Sequence, residues 1–389
     1  MLMEKKRLFF LDNLKALLIL LVVMHHAGQA YGPTGGYWDI QDASRFTPLG
    51  SFFSVNASFF MALFFFVSAY FLPQAFDRRG PARFLKDRLV KLGIPVLLGV
   101  LVIVPLYQFF SYNHYRGKEH LTFLDYYIKV FFGIGGQPNS LYRPNWPELN
   151  FGPYWFILHL IVYAVCYTLI RLVCDRISNG KTGSHSALLG KASPGVGGIL
   201  LFTVVVTLIT GIIRTKYDID HWIGILGFIQ AEPAHLAIYA SMFTAGIWAY
   251  RKNWLDRISS KTGFIFLVLG VIMAIMDYVM RLGTCVPGWL SDNWFMYDTP
   301  MGIFLCIGSI AVAREFLNHS GKVWGFLSGN AFTVYLLHVP VLVLIQALLL
   351  KMEAGGFVKF LLSSIMTMAV CHTLAFFLRK IKAARTVLG

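Results

Sequence analysis

The sequence predicts an all-α polytopic membrane protein of about ten transmembrane helices with both termini cytoplasmic. Three observations carry this. The 389 residues are 57% hydrophobic and only 14% charged, with a mean hydropathy of +0.62, whereas soluble domains hold about a quarter charged residues. The apolar residues fall into continuous runs of roughly 20, the length that crosses a hydrocarbon core about 30 Å thick. Those runs do not alternate polar with apolar, as the strands of a transmembrane barrel must.

In chain order the runs place spans at about 8–29, 52–73, 92–113, 152–174, 196–214, 230–250, 262–281, 298–316, 326–348 and 356–378. The sixth is the least regular, because Glu232 and Pro233 stand at its start. No internal repeat is evident, and no intervening stretch is long enough for a separate soluble domain. The chain therefore reads as a single membrane domain over 1–389.

The net charge of +15 would suggest nucleic acid in a soluble protein. Here most of the basic residues cluster between alternate spans: around Lys5 to Arg7, Arg78 to Lys91, Arg171 to Lys191, Arg251 to Lys261, Arg314 to Lys322 and Arg379 to Arg385. Basic loops stay on the cytoplasmic side, so this pattern orients the bundle and removes the case for a nucleic-acid partner. Of the five cysteines, Cys166, Cys174, Cys306 and Cys371 lie in apolar runs and only Cys285 in an external segment, which gives no disulfide framework. A signal peptide, with Lys5–Arg7 as its basic region and AGQA (27–30) as its cleavage site, is the competing reading of the start. Asp12 between basic patch and apolar core argues against it.

The first span is unusual. LDNLKALLILLVVMHH (11–26) carries Asp12, Lys15, His25 and His26, and ionisable groups within a bilayer cost several kcal/mol each unless paired or hydrated. Eleven residues make almost three helical turns, so Lys15 and His26 share a face, about 16 Å apart along the axis. Asp12 is within pairing reach of Lys15, while His25 points roughly 80° away. One face is thus polar at two depths. Snorkelling to the two interfaces would account for the same residues, although a shared polar face lines a cavity more naturally than lipid.

RLFFLDNLKALLILLVVMHHAGQAYG resembles the opening of the bacterial acyltransferase type 3 family of integral-membrane O-acyltransferases. Its first helix carries a basic residue, normally arginine, separated by ten residues from an essential histidine. Lys15 and His26 match, with lysine in place of arginine, which keeps the charge but loses the two-pronged planar donor. Further stretches resemble the family in register. They are FFFVSAYFL (64–72), with Ala69 where glycine is usual; RFLKDRLVKLGIP (83–95), with Arg88 and Lys91 matching a basic pair; PYWFILHLIVY (153–163); and NAFTVYLLHVPVLV (330–343).

The resemblance implies a multi-pass protein of the bacterial inner membrane. It would move an acyl group, acetyl first and succinyl as an alternative, from a cytoplasmic acyl-coenzyme A to a hydroxyl of an extracytoplasmic glycan or glycolipid. Acyl transfer needs a group to take the hydroxyl proton, and an imidazole, titrating at about 6.5 when unperturbed, suits that work. His26 is the expected base, with His25 as its substitute and Lys15 and Asp12 shaping the polar face. Arg88 and Lys91, one turn apart beside a span, are the expected contacts for coenzyme A phosphates, although positive-inside topology alone explains such a cluster. No metal is expected.

Tyr37, Trp38 and His338 are the expected acceptor contacts. Interfacial aromatic belts explain the external aromatics equally well, and His338 as a packing residue is the plainer reading. Glu232 with His235 forms a polar pair without a family counterpart. HLTFLD (120–125) matches a soluble-acyltransferase pattern by chance, since it falls in an external loop. A second transfer step would require a separate periplasmic or biosynthetic partner protein, because the chain ends soon after its last span. Two other classes compete: a secondary transporter or glycan exporter using the buried Asp/Lys/His face, and a lipid O-acyltransferase centred on His338.

Overall fold

A computed structural model describes residues 7–33, 38–113, 120–134, 151–177, 193–283 and 286–388. Helix α1 (Phe9–Gly28) is followed by α2 (Leu49–Tyr70), which continues after one residue as α3 (Leu72–Arg79). Then come α4 (Pro81–Ser111), α5 (Trp155–Ile177) and α6 (Val196–Arg214). A small antiparallel hairpin, β1 (Ile223–Ile225) with β2 (Ile229–Ala231), pairs Ile223 with Ala231. The rest is α7 (Pro233–Arg251), α8 (Ser260–Gly283), α9 (Phe295–Phe316), α10 (Lys322–Leu349) and α11 (Gly356–Leu378).

Among the described residues, nine helices are long and apolar enough to cross a membrane. Helix α7 is more polar, with His235, Ser241 and Thr244, and stands outside that set, but it traverses the bundle all the same. At one end Arg214 of α6 donates to Ala234 O at 3.3 Å; at the other Arg251 grips both carboxylate oxygens of Asp77 at 2.5 and 2.9 Å. Ten helices therefore pass alternately up and down. The N-terminal part of α1 and the C-terminal end of α11 lie at the same end, where Asn13 donates to Leu317 O and Arg379 to Gly329 O. We call this the basic end, since Arg7, Lys15, Arg79, Arg88, Arg251 and Arg314 all lie there.

The expected span 92–113 starts later than the helix that contains it. Helix α4 begins at Pro81, because proline suits a first helical turn and the charged residues 83–91 continue the helix before the apolar run starts. Leu97, Leu201 and Ile275 are examples of large side chains left open on the outer helices α4, α6 and α8. A hydrocarbon solvent accounts for them, whereas α2, α9 and α10 bury most of their apolar windows.

Prolines shape the interior. Proline has no N–H to give the carbonyl four residues back. Wide π-helical turns, Leu89–Gly93 and Gly99–Ile103, precede Pro95 and Pro105 in α4. The carbonyl freed by Pro105, that of Leu101, takes a hydrogen bond from the Tyr127 hydroxyl at 2.9 Å. In α10, Pro340 frees the carbonyl of Leu336, and the Tyr154 hydroxyl at the head of α5 donates to it at 2.7 Å. Tyr335 returns the contact by donating to Pro153 O. These two tyrosines lock α5 to α10 beside His338.

Candidate active site

The first helix presents its polar groups as its periodicity requires. At the basic end, Asp12 accepts from Arg7 at 3.0 Å and from Lys15 at 3.3 Å, and the Lys15 ammonium sits 4.9 Å from the centre of the Phe71 ring. Near the other end lie His25 and His26, whose neighbours differ sharply.

The His25 ring stacks on Phe60, with centroids 5.2 Å apart, and packs edge-on against Phe53. Its Nδ1 faces Asn56 Nδ2 at 3.3 Å, and that amide also donates to Leu21 O. An amide nitrogen can only donate, so His25 Nδ1 accepts and its proton sits on Nε2.

His26 faces α10. Its Nδ1 lies 3.0 Å from Val22 O and 3.2 Å from Nε2 of His338, and His338 Nδ1 lies 2.6 Å from Tyr335 O. Carbonyls only accept, so each Nδ1 carries the proton. His338 Nε2 is then an acceptor, and the His26 Nδ1 proton is shared between it and Val22 O. His26 Nε2 is left as a bare lone pair with no partner among the described residues. His338 is 0% exposed, which places it beneath His26 rather than on a surface open to an acceptor.

Trp38 closes the site from outside, its ring centre 5.4 Å from that of His26. Its indole N–H donates to Gln346 Oε1 at 2.6 Å, and Gln346 Nε2 donates to Ala27 O at 3.0 Å. The strap that carries Trp38 is fastened further along. Asp42 meets Lys359 of α11 at 2.7 Å with both side chains under 5% exposed, Ser111 of α4 donates to Asp39 O, and Arg45 donates to Ala30 O and Gly32 O. Gln346, Lys359 and Asp42 were not singled out from sequence. For Gln346 and Lys359 a lone polar residue in an apolar run was the only signal, Asp42 stood in a polar loop, and neither signal names a partner. Tyr37 lies outside the described residues.

Arg88 and Lys91 sit at the basic end where α4 turns π-helical. The Arg88 guanidinium lies 5.4 Å from the Phe84 ring centre, Lys91 is exposed, and neither makes an ion pair among the described residues. Two nearby arginines are paired, Arg79 with Asp87 at 2.5 Å and Arg251 with Asp77.

A separate polar knot lies near the hairpin. His235 Nδ1 meets Glu232 at 2.8 Å, Glu232 also accepts the Asp220 backbone N–H at 2.8 Å, and Arg214 pairs with Asp298 at 2.7 Å. In the short helical segment at 123–131, the exposed Asp125 carboxylate is paired with Lys129 and accepts from the Thr122 hydroxyl. Among the described residues, no three His, Cys, Asp or Glu side chains gather as a metal site, and Cys166, Cys174, Cys306 and Cys371 are free thiols.

The chain is thus a multi-pass helical bundle in which a histidine pair, His26 half-buried and His338 fully buried, meets between α1 and α10, the first and ninth of its ten long helices. The chain belongs to the acyltransferase type 3 family: the profile described as an acyltransferase domain matches residues 8–376. It is similar to the glucans biosynthesis protein C of Escherichia coli K12, at 24% identity over 94% of this chain and 90% of that one. The protein of the same name from Escherichia coli O9:H4 strain HS matches to the same extent. No solved structure matches the chain.

Proposed function

We propose that the protein transfers an acyl group, acetyl first, from coenzyme A held at the basic end to a hydroxyl of a glucan-type glycan at the opposite end, with His26 as general base. The observation that carries this reading is the proton order along Tyr335 O, His338 and His26, which leaves the His26 Nε2 lone pair free. His25 is the weaker choice, since Asn56 occupies its one lone pair. Positive-inside topology assigns the basic end to the cytoplasm and the His26 end to the outside of a bacterial inner membrane. The glucan acceptor follows from the names of the relatives.

Arg88 and Lys91, which make no ion pair among the described residues, would hold the coenzyme A phosphates. Lys15 lies about 16 Å along α1 from His26, a distance the pantetheine arm of a donor held at the basic end would have to cover. In the reaction His26 Nε2 takes the proton of the acceptor hydroxyl as its oxygen attacks the thioester carbon. The C–O bond forms, the C–S bond breaks, and the electron pair leaves on sulfur. The thiolate recovers the proton from His26, which restores the base. Trp38, clamped by Gln346, offers a flat face on which a sugar ring can stack above His26.

The test uses protein in lipid discs with radiolabelled acetyl- and succinyl-coenzyme A, with and without glucan. His26→Ala is expected to bind donor normally and to transfer roughly 10²–10⁴-fold more slowly, the usual contribution of a general base. Arg88→Glu with Lys91→Glu should raise the KM for acyl-coenzyme A. Full transfer by His26→Ala sinks the assignment of the base, and no binding of either donor by folded protein sinks the acyl-coenzyme A reading.

A further inference from the structure

A cavity of about 540 Å³ lies between α6, α7 and α9, away from the histidine pair. Its walls are Ile199 and Phe202 of α6, the small side chains of Ala240, Ser241, Ala245 and Ala249 on α7, and Ile307 and Ile310 of α9, with Phe66 of the central helix α2 at its back. Trp254, Leu255 and Ile258 form its floor at the basic end. Thr244 and Trp248, both exposed, stand at its open side beside the outward-facing Leu201 and Val205. The opening therefore faces the surroundings of the bundle at the depth of its apolar belt.

We infer that this cavity holds one fatty-acyl tail of an anionic phospholipid from the leaflet at the basic end. Three features single out that occupant. The first is chemistry: the one charged lining residue, Arg314, is saturated. It donates to Leu255 O and Ile258 O at 2.7 Å each, to Ser260 at 2.9 Å and to Glu315, so the interior offers an occupant almost nothing but hydrocarbon contact.

The second is depth. Ala240 to Ala249 spans nine residues, about 14 Å of helix, close to half of a hydrocarbon core of about 30 Å, which is the reach of a single leaflet.

The third is charge. Directly beyond the floor, Lys252, Arg257 and Lys261 outnumber Asp256, and a phosphate headgroup at the membrane surface would meet them. The Arg314 contacts hold the 255–260 turn closed under the cavity. A tail seated there fills a gap that the small residues of α7 leave between three membrane-spanning helices.

The experiment is native mass spectrometry of the full chain released from micelles containing equal amounts of phosphatidylglycerol, phosphatidylcholine and a polyprenyl phosphate. The wild type is expected to retain one phosphatidylglycerol per chain. Ala245→Phe, which fills the cavity, should lose it while keeping helical content and Tm in detergent, and Ser241→Leu on the same wall serves if Ala245→Phe does not fold. Lys252→Glu with Lys261→Glu should shift retention towards phosphatidylcholine. Retention by the folded filled variants at the wild-type level, or no retained lipid in the wild type, overturns the site. Preference for polyprenyl phosphate or indifference to headgroup overturns the occupant.

Discussion

Replacing His338 with alanine tests how His26 is activated. When His26 takes a proton it becomes an imidazolium, whose Nδ1–H is shared between Val22 O at 3.0 Å and His338 Nε2 at 3.2 Å. His338→Ala removes one of two acceptors and leaves the other, so the tautomer survives while the charged state loses a bond. A hydrogen bond to a charged group contributes roughly 1.5–3 kcal/mol, and about 1.36 kcal/mol is tenfold in rate. The expected loss is therefore roughly 10- to 150-fold in kcat, shallower than for His26→Ala, with the KM for acceptor unchanged. His338→Gln, whose amide oxygen can accept in the same direction, should recover part of the loss. The assay is steady-state transfer of labelled acetyl to glucan in lipid discs, with Tm measured alongside. A kcat at the wild-type level would refute the reasoning. So would a loss as deep as that of His26→Ala with a raised acceptor KM, because His338 would then touch the substrate itself.

Three further outcomes follow from the packing. Lys359→Met leaves the Asp42 carboxylate buried without its partner, a change that costs roughly 3–5 kcal/mol; hydrogen exchange over 38–48 should accelerate, and Asp42→Asn added to it should restore most of the protection. Unchanged exchange would show that the strap is not anchored there. Gly302→Ala places a Cβ 2.2 Å from Ser58 O, backbone against backbone between α9 and α2, and is expected to cost at least the roughly 1–3 kcal/mol of overpacking. Gly325→Ala, with nothing within 4 Å, should be neutral or stabilising, and equal Tm shifts for the two would refute the close approach. Asp220→Asn should raise Tm at neutral pH. Lost hydration at the hairpin rim and then the Glu232 carboxylate hold the Asp220 carboxyl above its usual range, so the folded state binds that proton more tightly and stability falls as pH rises through the folded value. The benefit of asparagine should shrink on acidification, and it stays small because Asp220 sits at the exposed rim, where solvent screens its carboxylate from Glu232. Asparagine also suits the left-handed backbone there, φ 65°. A benefit that grows with acid would contradict the sign.

The spans were legible because a bilayer demands unbroken apolar length, and that demand is local in sequence. Where a helix runs past its apolar length, as α4 does from Pro81, hydropathy marks the membrane segment and misses the helix. Helix α7 shows the converse. Its polar residues weaken the hydropathy signal, yet the Arg251–Asp77 grip makes it a full traverse. The polar face of α1 was likewise local, since Lys15 and His26 meet one face through the 3.6-residue period alone. What decides between His25 and His26 was not local. His338 is 312 residues from His26, Asn56 is 31 from His25, and only the packing of α1 against α10 and α2 brings them together.

Among the described residues no carboxylate stands behind His26, the proposed base. In water-exposed enzymes a buried aspartate commonly holds the catalytic imidazole in its tautomer, but a carboxylate within a bilayer is expensive unless paired. Here the order is set by neutral groups: Val22 O, His338 and Tyr335 O. Both carbonyls belong to helices whose geometry is fixed by the backbone ladder. In α10, the carbonyl that Pro340 frees near the site is taken by Tyr154, so it does not compete for the His338 proton. The charges that the fold does carry are kept at its ends, with Asp12 and Lys15 at one and Asp42 and Lys359 at the other. On the proposed reading, a base built this way would hold no net charge until an acceptor hydroxyl gave up its proton. The imidazolium would then form only within reach of two acceptors already aimed at it, which would confine the electrostatic cost of the membrane interior to the reacting state.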